Sequence, residues 1–402
     1  MDNKVKIVLV GIGGYGNNYL EELLNNSKYE KNYEIAGVVD PYPQGCKGLE
    51  DIRRLGISEF SSQEEFYSVS GADLAIISSP IQFHCEQTCT ALSRGSNVLC
   101  EKPAAAVARE VRKMIDERNK AGKFVAIGFQ WSFSKAVLDL KRNILDGKFG
   151  KPRRLKTIVL WPRNLDYYAR GWAGRKRDNA GRWILDSVAA NATSHYLHNM
   201  FFLLGNEMDR SARLETLKAE IYRANDIENY DTSIIRAFTA DGAEILFAAS
   251  HAIPPKELKG PVFEYVFDNA VIKYSSINYK SENIKAFLNN GTVIDYGCPN
   301  DDSNNKLWAS IKAARGGEAH LHCGLEAALT HTACIDAVQE SVPDALEFPK
   351  ELRRFDDAEK VVYVEGLSDI LIKCYDEWKL PSELETPWAC GGKEVNLSGY
   401  FI

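Results

Sequence analysis

The sequence lacks the features that mark a membrane, secreted or nucleic-acid-binding protein. No stretch approaches the roughly 18 consecutive apolar residues needed to span a bilayer, and Met1 is followed by polar residues and a short apolar strand instead of a secretion signal. Acidic residues outnumber basic ones by 55 to 49, for a formal charge of −6, which argues against general affinity for nucleic acid or anionic lipid. We therefore expect a cytoplasmic protein without membrane or nucleic-acid partners.

Patterns for disulfides and metals are also sparse. Nine cysteines are an odd number, and without a secretion signal they indicate reduced thiols rather than a disulfide framework. Cys85 and Cys89 share a helix face, but two thiols supply only half of the ligands that structural zinc requires. His320, His322 and Cys323 are closer in sequence, yet alternation along an extended segment puts Cys323 opposite the two histidines. The sequence therefore predicts no metal site.

The composition is that of an ordinary folded protein. Hydrophobic residues make up 45% and charged residues 26% of the 402 positions, which disfavours extensive disorder and predicts two to three domains at about 150 residues each. Up to about residue 130, short apolar runs alternate with helical patterns, which is typical of a parallel sheet wound on both faces by helices. We predict strands at Val5–Val10, Ile35–Val39, Leu74–Ser78, Val98–Cys100 and Phe124–Gly128, and helices near Tyr15–Asn26, Gln63–Val69, Cys85–Arg94 and Val107–Ala121.

The pattern changes after Gly150 to longer strands, which predict an antiparallel sheet followed by a helix over Gly324–Ser341 and a last amphipathic helix over Ala358–Trp378. The predicted class is α/β, with a doubly wound domain over residues 1–130 and an α+β domain with a mostly antiparallel open sheet over residues 131–402. The later strands are predicted at Leu155–Trp161, Ser233–Phe238, Ala243–Ser250, Val262–Phe267, Val271–Tyr274 and Thr292–Tyr296.

A glycine-rich turn follows the first predicted strand. Gly11 allows the tight turn, Gly13 allows a pyrophosphate to approach the backbone, and Gly16 allows the helix to pack on the strand. The start of the helix then offers free N–H groups and a positive dipole to the phosphates. The sequence predicts a Rossmann-type dinucleotide site at Gly11, Ile12, Gly13, Gly14, Tyr15 and Gly16.

Asp40 ends the second predicted strand, 24 residues after Gly16. A carboxylate at this place accepts hydrogen bonds from the adenosine ribose hydroxyls and repels a 2′-phosphate, so the sequence favours NAD over NADP. The alternative is that Asp40 and Pro41 form only a turn.

Other polar segments also follow predicted strands and should line the same crevice, because the carboxyl ends of parallel strands share one edge of the sheet. His84 would lie close by at the start of the next helix, where a structural hydrogen bond is an equally good interpretation. The predicted lining residues are Ser78, Ser79, Pro80, His84, Glu101, Lys102 and Gln130.

Three motifs together resemble the glucose-fructose oxidoreductase/inositol dehydrogenase (Gfo/Idh/MocA) family. They are Gly-x-Gly-x-x-Gly at 11–16, Ser-Pro-x-x-x-His at 79–84, and the strand ending in Glu101-Lys102-Pro103. Members bind NAD or NADP in an N-terminal Rossmann domain and bind substrate with a C-terminal α/β domain. The resemblance covers Val5 to about Gly205 by motif, and the general organisation to about residue 345.

The resemblance implies two catalytic residues. Lys102 takes the place of the family lysine between nicotinamide and substrate, where an ammonium stabilises developing alkoxide charge; the alternative is a surface cation. His195, ten residues before Gly205, takes the place of the family histidine and suits a general base. His198 is interpreted as a packing residue.

Two departures from the family lie on the substrate side. Asn191 stands where many members carry an aspartate, and an amide can bind a hydroxyl but cannot take a proton. Asp186 either compensates for this loss or caps the following helix. Trp131 and Ser132 are the fourth and fifth residues from Gly128, and members often have an arginine at one of these two positions. We assign Asn191, Asp186 and Trp131 to substrate binding.

The stretch between Trp161 and Trp183 is basic and aromatic, with six lysines and arginines against two aspartates. Aromatic faces stack on sugars and arginines fork onto carboxylate or phosphate, so the stretch predicts a sugar, an acidic sugar or a sugar conjugate as substrate. The alternative is a solvated loop with structural aromatics. Tyr168, Trp172 and Arg175 are the predicted contacts.

We therefore expect an NAD-dependent oxidoreductase acting on a secondary hydroxyl or ketone of a sugar, sugar acid or cyclitol. Two alternatives remain: an NAD-dependent glycoside hydrolase of the same fold, which oxidises its substrate transiently, and a non-enzymatic cofactor-sensing regulator. The resemblance also implies a homodimer or homotetramer.

Overall fold

The structure, a computed structural model, describes residues 4–25, 32–277, 280–301, 303–316 and 321–401. The chain divides into two compact units: the first comprises Met1–Ala105, Arg109–Phe133 and Asp302–Leu329, and the second comprises Ala106–Ala108, Ser134–Asp301 and Thr330–Ile402. The main division lies near the predicted residue 130, but segment 302–329 belongs to the first unit, which the predicted ranges did not anticipate. In the described part of the chain, no helix is both long and apolar enough to cross a bilayer.

The helices of the chain differ widely in length, from a single turn to 17 residues. They are α1 (Gly16–Asn25), α2 (Leu49–Arg54), α3 (Gln63–Val69), α4 (His84–Ser93), α5 (Ala108–Ala121), α6 (Lys135–Leu145), α7 (Leu165–Tyr168), α8 (Ser194–Leu203), α9 (Asn305–Ala314), α10 (Leu325–Ser341) and α11 (Leu367–Glu377).

The first unit is built on a six-stranded sheet in which every neighbouring pair is parallel. Its central strands are continuous apolar runs because helices cover both faces, and all four residues of Leu74–Ile77 are buried. The strands are β1 (Val5–Val10), β2 (Tyr33–Val39), β3 (Glu59–Phe60), β4 (Leu74–Ile77), β5 (Asn97–Cys100) and β6 (Val125–Ile127).

The order of these strands across the sheet is β3-β2-β1-β4-β5-β6. The direction of winding reverses between β1 and β4, and a ligand crevice is expected outside the carboxyl ends of the strands at such a reversal. The predicted doubly wound Rossmann sheet is confirmed, and only the two-residue strand β3 was not predicted.

The second unit contains a larger mixed sheet that is mostly antiparallel, which confirms the predicted class. Its order is β15-β14-β12-β11-β7-β10-β9-β8-β16, with parallel pairs only at β7–β10 and β8–β16 among the described strands. Two short strands extend this sheet, β13 (Lys280–Ser281) beside β12 and β19 (Val395–Asn396) beside β8, and β17 (Arg353–Asp356) and β18 (Val361–Val364) form a separate two-stranded sheet. The other strands are β7 (Pro152–Leu160), β8 (Leu214–Arg223), β9 (Thr232–Thr239), β10 (Glu244–Ser250), β11 (Lys259–Phe267), β12 (Ala270–Ile277), β14 (Ile284–Leu288), β15 (Val293–Gly297) and β16 (Leu346–Glu347).

The predicted helix over Ala358–Trp378 is wrong in its first half. Val361–Val364 forms β18 there, which pairs antiparallel with the preceding β17, because its three valines and tyrosine favour extended structure. Gly366, with φ of 73°, then allows the chain to turn into α11.

Helix α11 covers part of the second sheet. Its buried side chains Leu367, Leu371 and Cys374 face inward, and the two leucines share one apolar cluster with Ile158 and Leu246 of β7 and β10. This face of β7 and β10 is therefore core, whereas β14 and β15 at one end of the sheet retain exposed side chains.

Candidate cofactor cleft and substrate-side residues

The glycine turn after β1 is shaped by two close backbone approaches. Gly11 has φ of 81°, and a Cβ there would lie 2.7 Å from the backbone N of Ser79. A Cβ on Gly16 would lie 2.0 Å from the carbonyl oxygen of Gly11. At Gly13 the nearest heavy atom to a Cβ is 3.7 Å away, and at Gly14 none lies within 4 Å. Gly11 and Gly16 are thus required by the fold, whereas Gly13 and Gly14 leave open space in which a phosphate can approach the backbone.

Asp40 ties the glycine turn to the end of β2. Its Oδ2 accepts a hydrogen bond from the backbone N–H of Ile12 at 2.9 Å, and its Oδ1 accepts one from the N–H of Tyr42 at 2.9 Å. The second bond is a turn bond of the kind expected if Asp40 and Pro41 formed only a turn. The carboxylate therefore serves the turn and also lies beside the glycine loop, and its contact with the ribose stays a prediction.

A cleft of about 540 Å³ lies at these carboxyl strand ends, within the usual range for ligand sites. Its described lining includes carboxylates at Asp40, Glu64 and Glu86 but no lysine or arginine. Nothing in that lining would neutralise a 2′-phosphate. Seven predicted residues line this cleft: Gly11, Gly13, Gly14, Asp40, Ser78, Ser79 and Pro80.

His84 is held by two backbone carbonyls. Its Nε2 lies 2.9 Å from the oxygen of Ser79 and its Nδ1 lies 2.8 Å from the oxygen of Pro103. Burial lowers the pKa of His84, and a neutral imidazole can donate only one of these bonds at a time. Both ring nitrogens face the loops after β4 and β5, which favours the structural interpretation of His84.

A buried ion pair that the sequence did not reveal holds Glu101. Lys306 Nζ of α9 lies 2.5 Å from Glu101 Oε1 and 3.2 Å from the carbonyl oxygen of Gly128. Tyr19 Oη donates to the same Glu101 oxygen at 2.5 Å. The side chains of Lys306 and Glu101 are only 1% and 7% exposed.

Each partner of the ion pair favours the charged form of the other. Burial would raise the pKa of Glu101, but Lys306 and the hydrogen bond from Tyr19 lower it below its ordinary value. Burial would lower the pKa of Lys306, but Glu101 and Tyr15 raise it. Glu101 Oε2 in turn accepts a hydrogen bond from the backbone N–H of Lys102 at 3.2 Å. Glu101 is therefore an ionised anchor for the segment that carries Lys102.

Gln130 and Trp131 begin the 3-10 helix Gln130–Phe133 after β6. Gln130 is partly buried, and Trp131 is buried with about 2% of its surface exposed. The structure thus gives Trp131 a packing position in the first unit, and its contact with substrate stays a prediction.

The structure brings Asp186 and Asn191 together in the second unit. Asp186 Oδ1 accepts a hydrogen bond from Asn191 Nδ2 at 3.0 Å, and Oδ2 accepts one from the backbone N–H of Gly174 at 2.7 Å. The helical turn that follows is capped by Ser187, whose Oγ accepts from the N–H of Ala190. Asp186 is therefore not the cap. Its carboxylate is hydrogen-bonded to Asn191, the residue that stands where many members of the family carry an aspartate.

The two histidines of α8 lie in different surroundings. His195 is partly buried next to Tyr196, with ring centroids 6.5 Å apart. His198 is fully buried and stacks on Phe202 at 5.7 Å. Burial, followed by the neighbouring His331, lowers the pKa of His198 well below its ordinary value. These surroundings favour packing for His198, as the sequence indicated.

Most cations of the basic stretch are engaged by neighbours, which supports the interpretation of this part as a structured loop. Arg182 pairs with Asp178 at 2.7 Å, Arg177 lies 3.2 Å from the Trp183 ring centroid, Lys176 Nζ donates to the oxygen of Pro343 at 2.6 Å, and Arg175 donates to Asn179 at 3.2 Å. Arg163 and Arg170 instead lie over aromatic rings, within 5.3 Å and 4.9 Å of the Tyr167 centroid.

Comparison with known proteins supports the same chemistry. Residues 5–129 match the model of an oxidoreductase family with an NAD-binding Rossmann fold. The chain is 27% identical to inositol 2-dehydrogenase of Salmonella typhimurium over 149 residues, covering 37% of this chain and 44% of the relative. It is 28% identical to the NAD(+)-dependent scyllo-inositol 2-dehydrogenase of Bacillus subtilis over 155 residues, covering 38% and 43%. The chain thus matches less than half the length of these curated relatives.

Solved structures match over most of the chain and establish the fold. The WlbA dehydrogenase from Bordetella pertussis, solved with NADH and UDP-GlcNAcA, has a TM-score of 0.70 at 21% identity and covers 85% of this chain and 97% of its own. An oxidoreductase from Agrobacterium radiobacter, solved with NAD+, L-tartaric acid and magnesium, has a TM-score of 0.67 at 18% identity with the same coverage. Residues 5–129 thus match the NAD-binding Rossmann domain of the Gfo/Idh/MocA oxidoreductases, in agreement with the resemblance seen in the sequence, and the solved structures share the fold over most of the chain.

Proposed function

We propose that the protein is an NAD-dependent oxidoreductase that interconverts a secondary hydroxyl and a ketone on a sugar, sugar acid or cyclitol. The observation that carries this proposal is the cleft at the β1–β4 reversal, where open glycine backbone and the Asp40 carboxylate lie together. The curated relatives named as inositol dehydrogenases support the substrate class.

Each candidate catalytic residue has a separate role in the proposal. Bound NAD supplies the hydride acceptor. Lys102, whose backbone is anchored by ionised Glu101, stabilises the negative charge that develops on the substrate oxygen. His195 acts as the general base for the hydroxyl proton. Asn191 binds a substrate hydroxyl through its amide, which Asp186 orients.

NAD is the proposed cofactor in preference to NADP. The 2′-phosphate of NADP would meet Asp40, and the described lining of the cleft supplies no lysine or arginine to balance that charge. Titration with both cofactors tests this preference, and we expect NAD to bind at least about tenfold more tightly.

We propose that the protein forms a homodimer or homotetramer in the cytoplasm. Its partner is a small molecule, and we expect it to bind neither nucleic acid nor membrane. Contact between subunits is expected on the part of the second sheet away from α11, where Phe287 and Val293 are 40% and 53% exposed. Sedimentation as a monomer at micromolar concentration would contradict this proposal.

The direct test is a screen of sugars, uronates and inositols with NAD and with NADP, followed through formation of reduced nicotinamide. We expect at least one compound to produce NADH and its keto product in equal amounts. Cleavage of an aryl glycoside without accumulation of NADH would identify the hydrolase instead. Tight NAD binding with no conversion of any compound would favour the regulator.

A further inference from the structure

Several buried polar atoms in the described part of the second unit lack a hydrogen-bond partner, and three of them border the same tyrosine pair, Tyr167 and Tyr168. They are Arg163 Nε, Tyr168 Oη and His251 Nε2. Buried polar groups in folded proteins are nearly always paired, so three such atoms in one neighbourhood indicate a binding site. We call this group, Arg163, Tyr168 and His251, the Arg163 subsite.

The backbone brings two members of the Arg163 subsite together. Strands β7 and β10 are parallel neighbours, and their continuations stay paired: the N–H of Trp161 donates to Ser250 O at 2.9 Å and that of Arg163 donates to His251 O at 3.2 Å. Both side chains border Tyr167, whose ring centroid lies 5.8 Å from that of His251 and 5.3 Å from the Arg163 guanidinium carbon. Tyr167 also packs edge-on against Tyr168 at 5.2 Å.

The three atoms of the Arg163 subsite have defined roles as hydrogen-bond donors or acceptors. His251 Nδ1 lies 2.7 Å from the carbonyl oxygen of Trp161, which can only accept, so Nδ1 carries the proton and Nε2 is an acceptor. Burial, followed by the charge of Arg163, lowers the pKa of His251 to about 3, so the ring is neutral at physiological pH. Arg163 Nε is a donor, and Tyr168 Oη can donate or accept.

Arg163 has no direct ion-pair partner among the described residues. No described carboxylate forms an ion pair with it, and its cation lies over the rings of Trp161 and Tyr167. The two nearby buried aspartates are already occupied: Asp186 accepts from Gly174 and Asn191, and Asp231 accepts from the backbone of Ala224 and Asn225 and from the side chains of Asn225 and Thr232. The guanidinium of Arg163 therefore has no ion-pair partner among the described residues, and an anionic ligand would supply one.

We propose that the Arg163 subsite binds the carboxylate of an acidic sugar, with Arg163 and Tyr168 donating to the carboxylate and His251 Nε2 accepting from an adjacent hydroxyl. Arg163 is the one cation among the three members of the Arg163 subsite and matches one negative charge, and for this reason we assign a uronate rather than a phosphate ester. This inference rests on the proposed function, since the ligand is the sugar substrate of that enzyme. It also replaces Arg175, which is engaged by Asn179, as the predicted anion contact.

The test is binding measured by calorimetry with saturating NADH present, so that no oxidation takes place. The probes are D-glucuronate with D-glucose, D-galacturonate with D-galactose, and glucose 6-phosphate. We expect at least one uronate to bind about tenfold or more tightly than its neutral parent. We expect Arg163→Gln to remove this preference while changing affinity for the parent sugar by less than about threefold.

The control variant is Arg182→Gln, which removes a cation of the same stretch that pairs with Asp178 and should leave the preference for uronate intact.

Tyr168→Phe should weaken uronate binding several-fold. If Arg163→Gln does not fold, Arg163→Lys retains the charge but lacks the Nε donor, and the preference should shrink. The proposal is overturned if no uronate binds more tightly than its parent, if glucose 6-phosphate binds more tightly than the uronates, or if the folded Arg163 variant keeps the full preference.

These outcomes are separate from those of the proposed function. A uronate preference that depends on Arg163, without NADH formation in the screen, would retain the subsite and reject the oxidoreductase. NADH formation from neutral sugars, with no uronate preference, would support the oxidoreductase and reject the Arg163 subsite.

Discussion

The cofactor cleft of the first unit and the Arg163 subsite of the second unit differ in how their polar groups are satisfied. In the cleft, both oxygens of Asp40 accept backbone hydrogen bonds and the glycine turn is formed by backbone geometry. In the Arg163 subsite, three buried polar atoms have no partner among the residues described. The Asp40 oxygens of the cleft therefore have hydrogen-bond partners before ligand binds, whereas we propose that the three polar atoms of the Arg163 subsite find theirs in the ligand.

Lys102 should show the largest effect on the cofactor side. Lys102→Met removes the charge that stabilises the developing alkoxide, and kcat should fall by about 10²- to 10⁴-fold. Because the cleft is complete without this side chain, affinity for NAD should change little. Steady-state rates and NAD titration measure both quantities, with the exposed Lys120→Met as control. Unchanged kcat would reject the assignment of Lys102.

Lys306 should show the largest effect on stability. Lys306→Met leaves Glu101 buried without its counter-ion, which should lower the free energy of unfolding by about 3–5 kcal/mol. Denaturant unfolding measures this loss, and adding Glu101→Gln to Lys306→Met should recover part of it. Equal stability of wild type and Lys306→Met would show that the ion pair does not anchor this segment.

The same pair predicts a pH dependence with a definite sign. The pKa of Glu101 is lowered in the folded state, so its stabilisation is present above the unfolded pKa of about 4.3 and is lost as pH falls through the folded value. In Lys306→Met, burial favours protonated Glu101. The difference in free energy of unfolding between wild type and Lys306→Met should therefore become smaller as pH falls from 7 towards 4. The Lys306 pKa is raised, so its contribution persists below about pH 10.4 and is lost as pH rises through the folded value. If the difference in free energy of unfolding between wild type and Lys306→Met grows as pH falls, Glu101 is not the ionised partner of Lys306.

Gly16 and Gly14 provide a matched pair within the glycine turn. Gly16→Ala places a Cβ 2.0 Å from Gly11 O and should cost about 1–3 kcal/mol of stability. Gly14→Ala meets no heavy atom within 4 Å and should change stability by less than about 0.5 kcal/mol. Thermal or denaturant unfolding compares them. Equal losses would mean that backbone contact does not shape this turn.

Asp40 should have the smallest effect, confined to cofactor choice. Asp40→Asn removes the charge that opposes a 2′-phosphate, so the ratio of NADP to NAD dissociation constants should fall by about tenfold. The control is Asp51→Asn, an exposed carboxylate paired with Arg54. An unchanged ratio in Asp40→Asn would place cofactor discrimination elsewhere.

The same contrast explains how much could be predicted from the sequence. The parallel sheet, the glycine turn and Asp40 are encoded by short local patterns, so the cofactor side was accessible. Lys306 was not, because a lysine in the amphipathic stretch Asn305–Ala314 has the same local pattern whether it faces solvent or a distant glutamate. A helix was predicted where β17 and β18 pair, although the valines of Val361–Val364 carried a usable strand signal.

The substrate side depended on contacts between distant residues. The stretch between Trp161 and Trp183 predicted a basic surface. Only the structure shows that the side chains of Arg175, Lys176, Arg177 and Arg182 donate hydrogen bonds within the protein, whereas Arg163 Nε has no partner among the described residues. His251 lies 88 positions after Arg163, and no local pattern links the two.

The proposed function depends on hydride transfer from a sugar carbon to the nicotinamide of NAD. The most direct test uses the best compound from the screen, deuterated at the carbon that bears the reacting hydroxyl, with the reduced cofactor analysed by mass spectrometry. The account predicts deuterium in the nicotinamide ring of NADH, in equal amount to the keto product. Reduced nicotinamide without the label, or label released to water, would contradict it.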